Sequence, residues 1–112
     1  MVKKFDELDK TIVTSMRNGK GSIILEKMPI ILNHMKMYAR ITIKKDCSIG
    51  VHSHTGDEEI VTVISGKGIL NINNKKIDFL PGMINVTKEN ENHSIENLND
   101  EDLVLIAVIN EI

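Results

Sequence analysis

The stretch Gly50-Val51-His52-Ser53-His54-Thr55-Gly56-Asp57-Glu58-Glu59-Ile60-Val61-Thr62-Val63-Ile64-Ser65-Gly66 decides how the rest of the chain is read. His52 and His54 are two residues apart, so on a strand both imidazoles leave the same face. Thr55-Gly56-Asp57 is a turn signal, after which an antiparallel strand returns through Glu58 and Glu59. One of these carboxylates then lies beside the imidazole pair. Glu59 shares a face with Val61 and Val63, and Glu58 with Ile60, Thr62 and Ile64, so alternation alone leaves the choice open. Further on, His93 opens another strand pattern with Ile95 and Asn97 on its face. Three imidazoles and one carboxylate form a mixed nitrogen and oxygen donor set suited to Mn, Fe, Ni, Cu or Zn as divalent ions.

Working outward, strand patterns recur at Ser22 to Leu25, Tyr38 to Lys44, Ile49 to His54, Glu59 to Ser65, Gly68 to Ile72, Lys76 to Leu80, Met83 to Thr87, His93 to Asn97 and Leu103 to Ile109. Between them stand Gly66-Lys67, Asn73-Asn74-Lys75, Pro81-Gly82, Asn90-Glu91-Asn92 and Asn99-Asp100, each a turn signal. Short strands with a break at every step predict a sandwich or barrel and exclude parallel βαβ topologies. Residues 28–37 read either as one helical turn or as a loop. Residues 1–25 read as an arm with a short strand, exchanged in a dimer, and residues 26–112 as the barrel.

Composition agrees with this reading and narrows function. The 112 residues are 41% hydrophobic and hold eighteen Ile and eight Val against three aromatics, a β-branched bias. Fourteen basic against sixteen acidic residues leave no footprint for nucleic acid. No apolar run suggests a secretory signal or a membrane span. Cys47 is the only cysteine, so neither an internal disulfide nor a cysteine metal cage is available. The expectation is a cytoplasmic protein whose partners are a small molecule and a second copy of itself. His34 is read as an ordinary polar residue, and Asp57 and Glu58 as solvated charge.

The quoted stretch resembles the first motif of the cupin family: two His one residue apart, four residues to Glu59, and six more to Gly66. Glu58 misses the glycine spacing by one. The second motif resembles Gly82-Met83-Ile84-Asn85-Val86-Thr87-Lys88-Glu89-Asn90-Glu91-Asn92-His93-Ser94-Ile95-Glu96-Asn97, with Gly82, His93 and Asn97 in place. Departures are Asp46 and Asn90 for glycines and Lys88 for a proline, none at a ligand position.

The resemblance implies an all-β, antiparallel double-stranded β-helix (jelly-roll) barrel in a single domain. His52, His54, Glu59 and His93 would hold one divalent transition metal inside it. In form the chain resembles short single-domain members of the oxalate-decarboxylase-like and mannose-6-phosphate-isomerase-like kinds. The two-domain oxalate decarboxylases carry an Arg three residues before the first His, where this chain has Ile49.

Tyr38 and Arg40 share a strand face. If it turns inward they are candidate substrate contacts, Arg40 gripping a carboxylate through both guanidinium nitrogens. Glu59 is the candidate catalytic group. The expected function is a metal-dependent enzyme acting on a small polar carboxylate or sugar-type ligand, its reaction class (dioxygenase, decarboxylase or isomerase) open. The alternative is a binding or sensing module without turnover.

Overall fold

Alternating β-branched residues become ten strands in the computed structural model, which describes residues 1–29 and 32–112. In chain order these are β1 (Lys10–Thr14), β2 (Ser22–Lys27), β3 (Met35–Ile43), β4 (Cys47–Ser53), β5 (Asp57–Ser65), β6 (Gly68–Ile72), β7 (Lys75–Phe79), β8 (Ile84–Thr87), β9 (Asn92–Asn97) and β10 (Leu103–Glu111). Two short 3-10 turns, Phe5–Glu7 and Met16–Asn18, precede β2. The expectation for residues 28–37 falls partly on Ile30 and Ile31, which lie outside the described residues; from Met35 the chain is strand.

The strands form a six-stranded sheet in the order β1-β2-β3-β10-β5-β8 and a four-stranded sheet in the order β4-β9-β6-β7. Every pairing is antiparallel. This is the single-domain jelly-roll arrangement. No described helix is long and apolar enough to cross a membrane.

The core lies between the sheets. β10 sits centrally, with Leu105 opposite both Ile41 and Val63, and its alternate residues Leu103, Leu105 and Ala107 are fully buried. Ile49, Leu70, Phe79 and Ile95 meet them from the four-stranded sheet. Each aliphatic side chain buried this way contributes about 1.5–3 kcal/mol.

Where the sheets close, Asn97 is fully buried and donates through Nδ2 to Ile43 O at 2.9 Å and Glu101 O at 2.8 Å. Its Oδ1 accepts from Asn99 N at 2.8 Å. Its side chain thereby fastens β9 to the turn before β10.

One expectation is corrected, that of Tyr38 and Arg40 as substrate contacts. Residues 10–14 form a strand of the N-terminal arm, and β2 runs on past residue 25. Here β1 pairs with β2 of the same chain, Lys10 opposite Glu26 through Thr14 opposite Ser22. The face of β3 bearing Tyr38 and Arg40 turns outward, because Ala39, Ile41 and Ile43 fill the interior. Arg40 pairs with the buried carboxylate of Glu26 at 2.8 Å through both Nε and Nη2, and also with Asp6. Tyr38 stacks on Phe5 at 5.9 Å between ring centroids. The N-terminal arm thus covers this face and occupies both side chains.

Replacing Asn97 by Ala leaves buried carbonyls without donors and is expected to cost about 3 kcal/mol. Urea unfolding of the variant beside the wild type measures it; an unchanged midpoint contradicts the structural role.

Candidate metal centre

Four donor groups meet at one end of the space between the sheets. His52 and His93 are direct cross-strand partners on β4 and β9, which puts their imidazoles side by side. Strict alternation along β4 would send Ile49 and His52 to opposite faces. The register shift between them turns both inward and leaves Val51 and Ser53 outside. His54 follows as β4 ends. Glu59 comes from the facing sheet on β5, where burial alternates so that Asp57, Glu59, Val61 and Val63 point in while Glu58, Ile60 and Ile64 point out. That parity settles the Glu58–Glu59 choice in favour of Glu59.

The donor atoms lie within 4.8 Å of one another. His52 Nε2 to His93 Nε2 is 3.0 Å, and Glu59 Oε1 is 3.2 Å from His93 Nε2 and 3.3 Å from His54 Nε2. Atoms bound about 2.1 Å from a common ion at right angles sit roughly 3 Å apart. The observed spacings therefore fit a single coordinated ion.

The other ring nitrogens fix the tautomers. His52 Nδ1 donates to Gly50 O at 2.7 Å, and His54 Nδ1 to Asp57 Oδ1 at 2.8 Å. His93 Nδ1 lies 2.9 Å from both Asn85 Oδ1 and Thr87 Oγ1. With the protons held outside, each neutral imidazole presents a bare Nε2 lone pair to the centre. His54 Nε2 is buried and has no hydrogen-bond partner. A cation satisfies it and relieves the facing lone pairs, so the residues present fit a metal and the group could hold one.

Electrostatics favour the ligating form of His52 and the charged form of Asp57. Burial pushes the His52 imidazole below its ordinary value; the Gly50 carbonyl opposes this, while the charges of His93, Arg17 and His54 add to it. Burial would raise the Asp57 carboxyl, but Lys36, 2.9 Å from Oδ2, and His54 outweigh it and hold Asp57 below the usual carboxylate range. Asp57 is accordingly an anchor for His54, not solvated charge, whereas Glu58 is exposed as expected.

The donors line a cavity of about 60 Å³ together with an aliphatic wall that includes Ile41, Ile49, Val61, Ile95 and Leu105. That is space for a few water-sized groups. Met16 and Arg17 complete it from the 3-10 turn. Tyr38 and Arg40 do not line it, and His34 is exposed on a loop elsewhere. Asn85, Thr87, Asp57 and Arg17 are the site residues that spacing did not single out. For Asn85 and Thr87 the available signal was their position two apart on a strand, a polar pair on one face.

Comparison with known proteins was made against this geometry. A family model described as a cupin domain matches residues 39–109. This chain is a cupin. Among curated proteins, an oxalate-binding protein of Thermotoga maritima is 31% identical, over 97% of this chain and 93% of the relative. A crystal structure described as a predicted oxalate decarboxylase from Thermotoga maritima superposes with a TM-score of 0.93 at 30% identity, each chain covered in full. The cupin domain of Schizosaccharomyces pombe Cnp3 gives 0.79 at 8% identity, covering all of this chain and 74% of that one, which is a likeness of fold alone.

Replacing Asp57 by Asn removes the charge that holds His54 Nδ1–H. Metal affinity of this cupin is expected to fall about 10–100-fold, read by competition with a chromogenic chelator. Equal affinity in the variant contradicts the anchoring role.

Proposed function

We propose that this cupin binds one divalent transition ion of the Mn-to-Zn series through His52, His54, Glu59 and His93, and takes a small polar carboxylate onto it. The observation that carries this reading is the convergence of four donors at the floor of a small, aliphatic cavity. Four protein ligands leave open positions on an ion that accepts six. When bound, the ion supplies a Lewis-acidic point that polarises ligand oxygens.

The chain's own residues do the rest. The aliphatic wall excludes water, and the outward Nδ1 contacts keep the imidazoles oriented. Among the described residues Glu59 is the one carboxylate lining the cavity, and it serves as its proton acceptor. A volume of about 60 Å³ favours a ligand of few heavy atoms over a sugar. The 31% identity to an oxalate-binding protein supports a carboxylate.

A second reading, a binding module without turnover, is favoured by one observation: no acid or base other than the four donors lines the cavity apart from Arg17, a permanent cation. Calorimetric titration of Mn(II)-loaded and metal-free protein with oxalate, followed by product analysis, tests both. Binding is expected only in the loaded protein. Equal binding without metal overturns the site assignment, and a bound acid recovered unchanged favours the module.

We also take the protein to be a cytoplasmic homodimer. On the outer face of the six-stranded sheet Ile60 is paired with Val86 and Val108, and Thr62 with Ile84 and Ile106. Ile60, Ile64, Ile84 and Val86 are exposed there. A second copy that covers this strip removes it from water. Light scattering is expected to give twice the 12.6 kDa chain mass, and Ile60→Lys to shift it to one; a monomeric wild type at micromolar concentration rejects the dimer.

A further inference from the structure

The turn that carries Arg17 is held in an unusual way. Ser15, Arg17 and Asn18 all have left-handed backbones, with φ of 54°, 54° and 63°. Side-chain-bearing residues populate that region sparsely, and it persists only where the surroundings impose it. Here the surroundings are β4. A Cβ on Gly50 would lie 2.0 Å from Arg17 O, and one on Gly19 would lie 2.2 Å from Ser48 O. The two glycines let the backbone of the turn touch β4 just before His52. Ser15 N donates to Gly21 O at 2.9 Å and Gly19 N to Met16 O at 2.9 Å, closing the turn.

The result is that Met16 and Arg17 form part of the cavity wall. Among the described residues, Arg17 is the one lining residue with a permanent positive charge. It is exposed at the mouth and makes no ion pair among the described residues. Arg40, by contrast, is fully engaged by Glu26 and Asp6 on the outer face.

We propose that Arg17 is the carboxylate-recognition residue of this cavity: its guanidinium, presented by the turn clamped on β4, pairs with the carboxylate oxygens that a ligand on the metal leaves free. A guanidinium fork suits two carboxylate oxygens at once. The other wall residues offer a dianion no partner. This inference rests on the carboxylate reading of the site above.

Wild type, Arg17→Asn and Arg17→Lys, each loaded with Mn(II), are titrated calorimetrically with oxalate and with acetate. Asn tolerates a left-handed backbone, so it removes the cation with the turn kept. Oxalate has oxygens left over after binding an ion, and acetate has a single carboxylate that the ion engages. Arg17→Asn is expected to weaken oxalate about tenfold or more, Arg17→Lys less, with acetate affinity, metal content and melting temperature unchanged.

Oxalate bound equally by wild type and Arg17→Asn overturns the assignment while the site reading stands. Equal losses for oxalate and acetate, or loss of metal from the variant, make Arg17 structural and also overturn it. A loaded wild type that binds neither acid overturns the site reading, and the role of Arg17 with it.

Discussion

Four acceptor atoms facing one another in a buried space are unstable without a cation, and the rest of this barrel is arranged so that they face one another. Gly50 O, the Asp57 carboxylate and the Asn85–Thr87 pair hold the imidazole protons on the outside. The three Nε2 atoms then have lone pairs to offer, and those of the buried His54 and His93 have little water to offer them to. Removing an anchor loosens a donor, and removing a donor leaves the others facing each other unpaired.

The two sheets share the work unequally. The four-stranded sheet supplies the imidazoles: pairing of β4 with β9 sets His52 beside His93, and the register shift after Ile49 turns His52 inward. The six-stranded sheet supplies Glu59 and three anchors: Asp57 begins β5, Thr87 lies opposite Glu59 and Asn85 opposite Val61, all on the same inner face. Aliphatic residues of both sheets fill the space beneath. Pleated alternation thus places a polar cluster above an apolar core without a buried helix or a disulfide.

Most of the strand series was legible because β-branched alternation and turn residues carry it. Gly68–Ile72 coincides with its expected span, and most of the other expected strands differ only at their ends. The four donors came from the resemblance to the two cupin motifs, in which the distance to Gly66 favours Glu59 over Glu58, and burial along β5 also turns Glu59 inward. On β3, alternation sends the apolar Ala39, Ile41 and Ile43 inward and so turns Tyr38 and Arg40 outward, where the N-terminal arm meets them through Phe5 and Asp6. Arg17 was invisible in the sequence. It sits on an irregular left-handed turn with no period, and its approach to the site depends on Gly50, thirty-three residues along the chain.

The central claim is that the convergent donors hold one metal ion per chain. Elemental analysis of protein purified without a histidine tag tests it most directly. The account predicts close to one equivalent of a divalent transition ion per chain, and none in His93→Ala. A folded wild-type protein that carries no stoichiometric metal, and takes up none when offered Mn, Fe, Ni, Cu and Zn in turn, contradicts it.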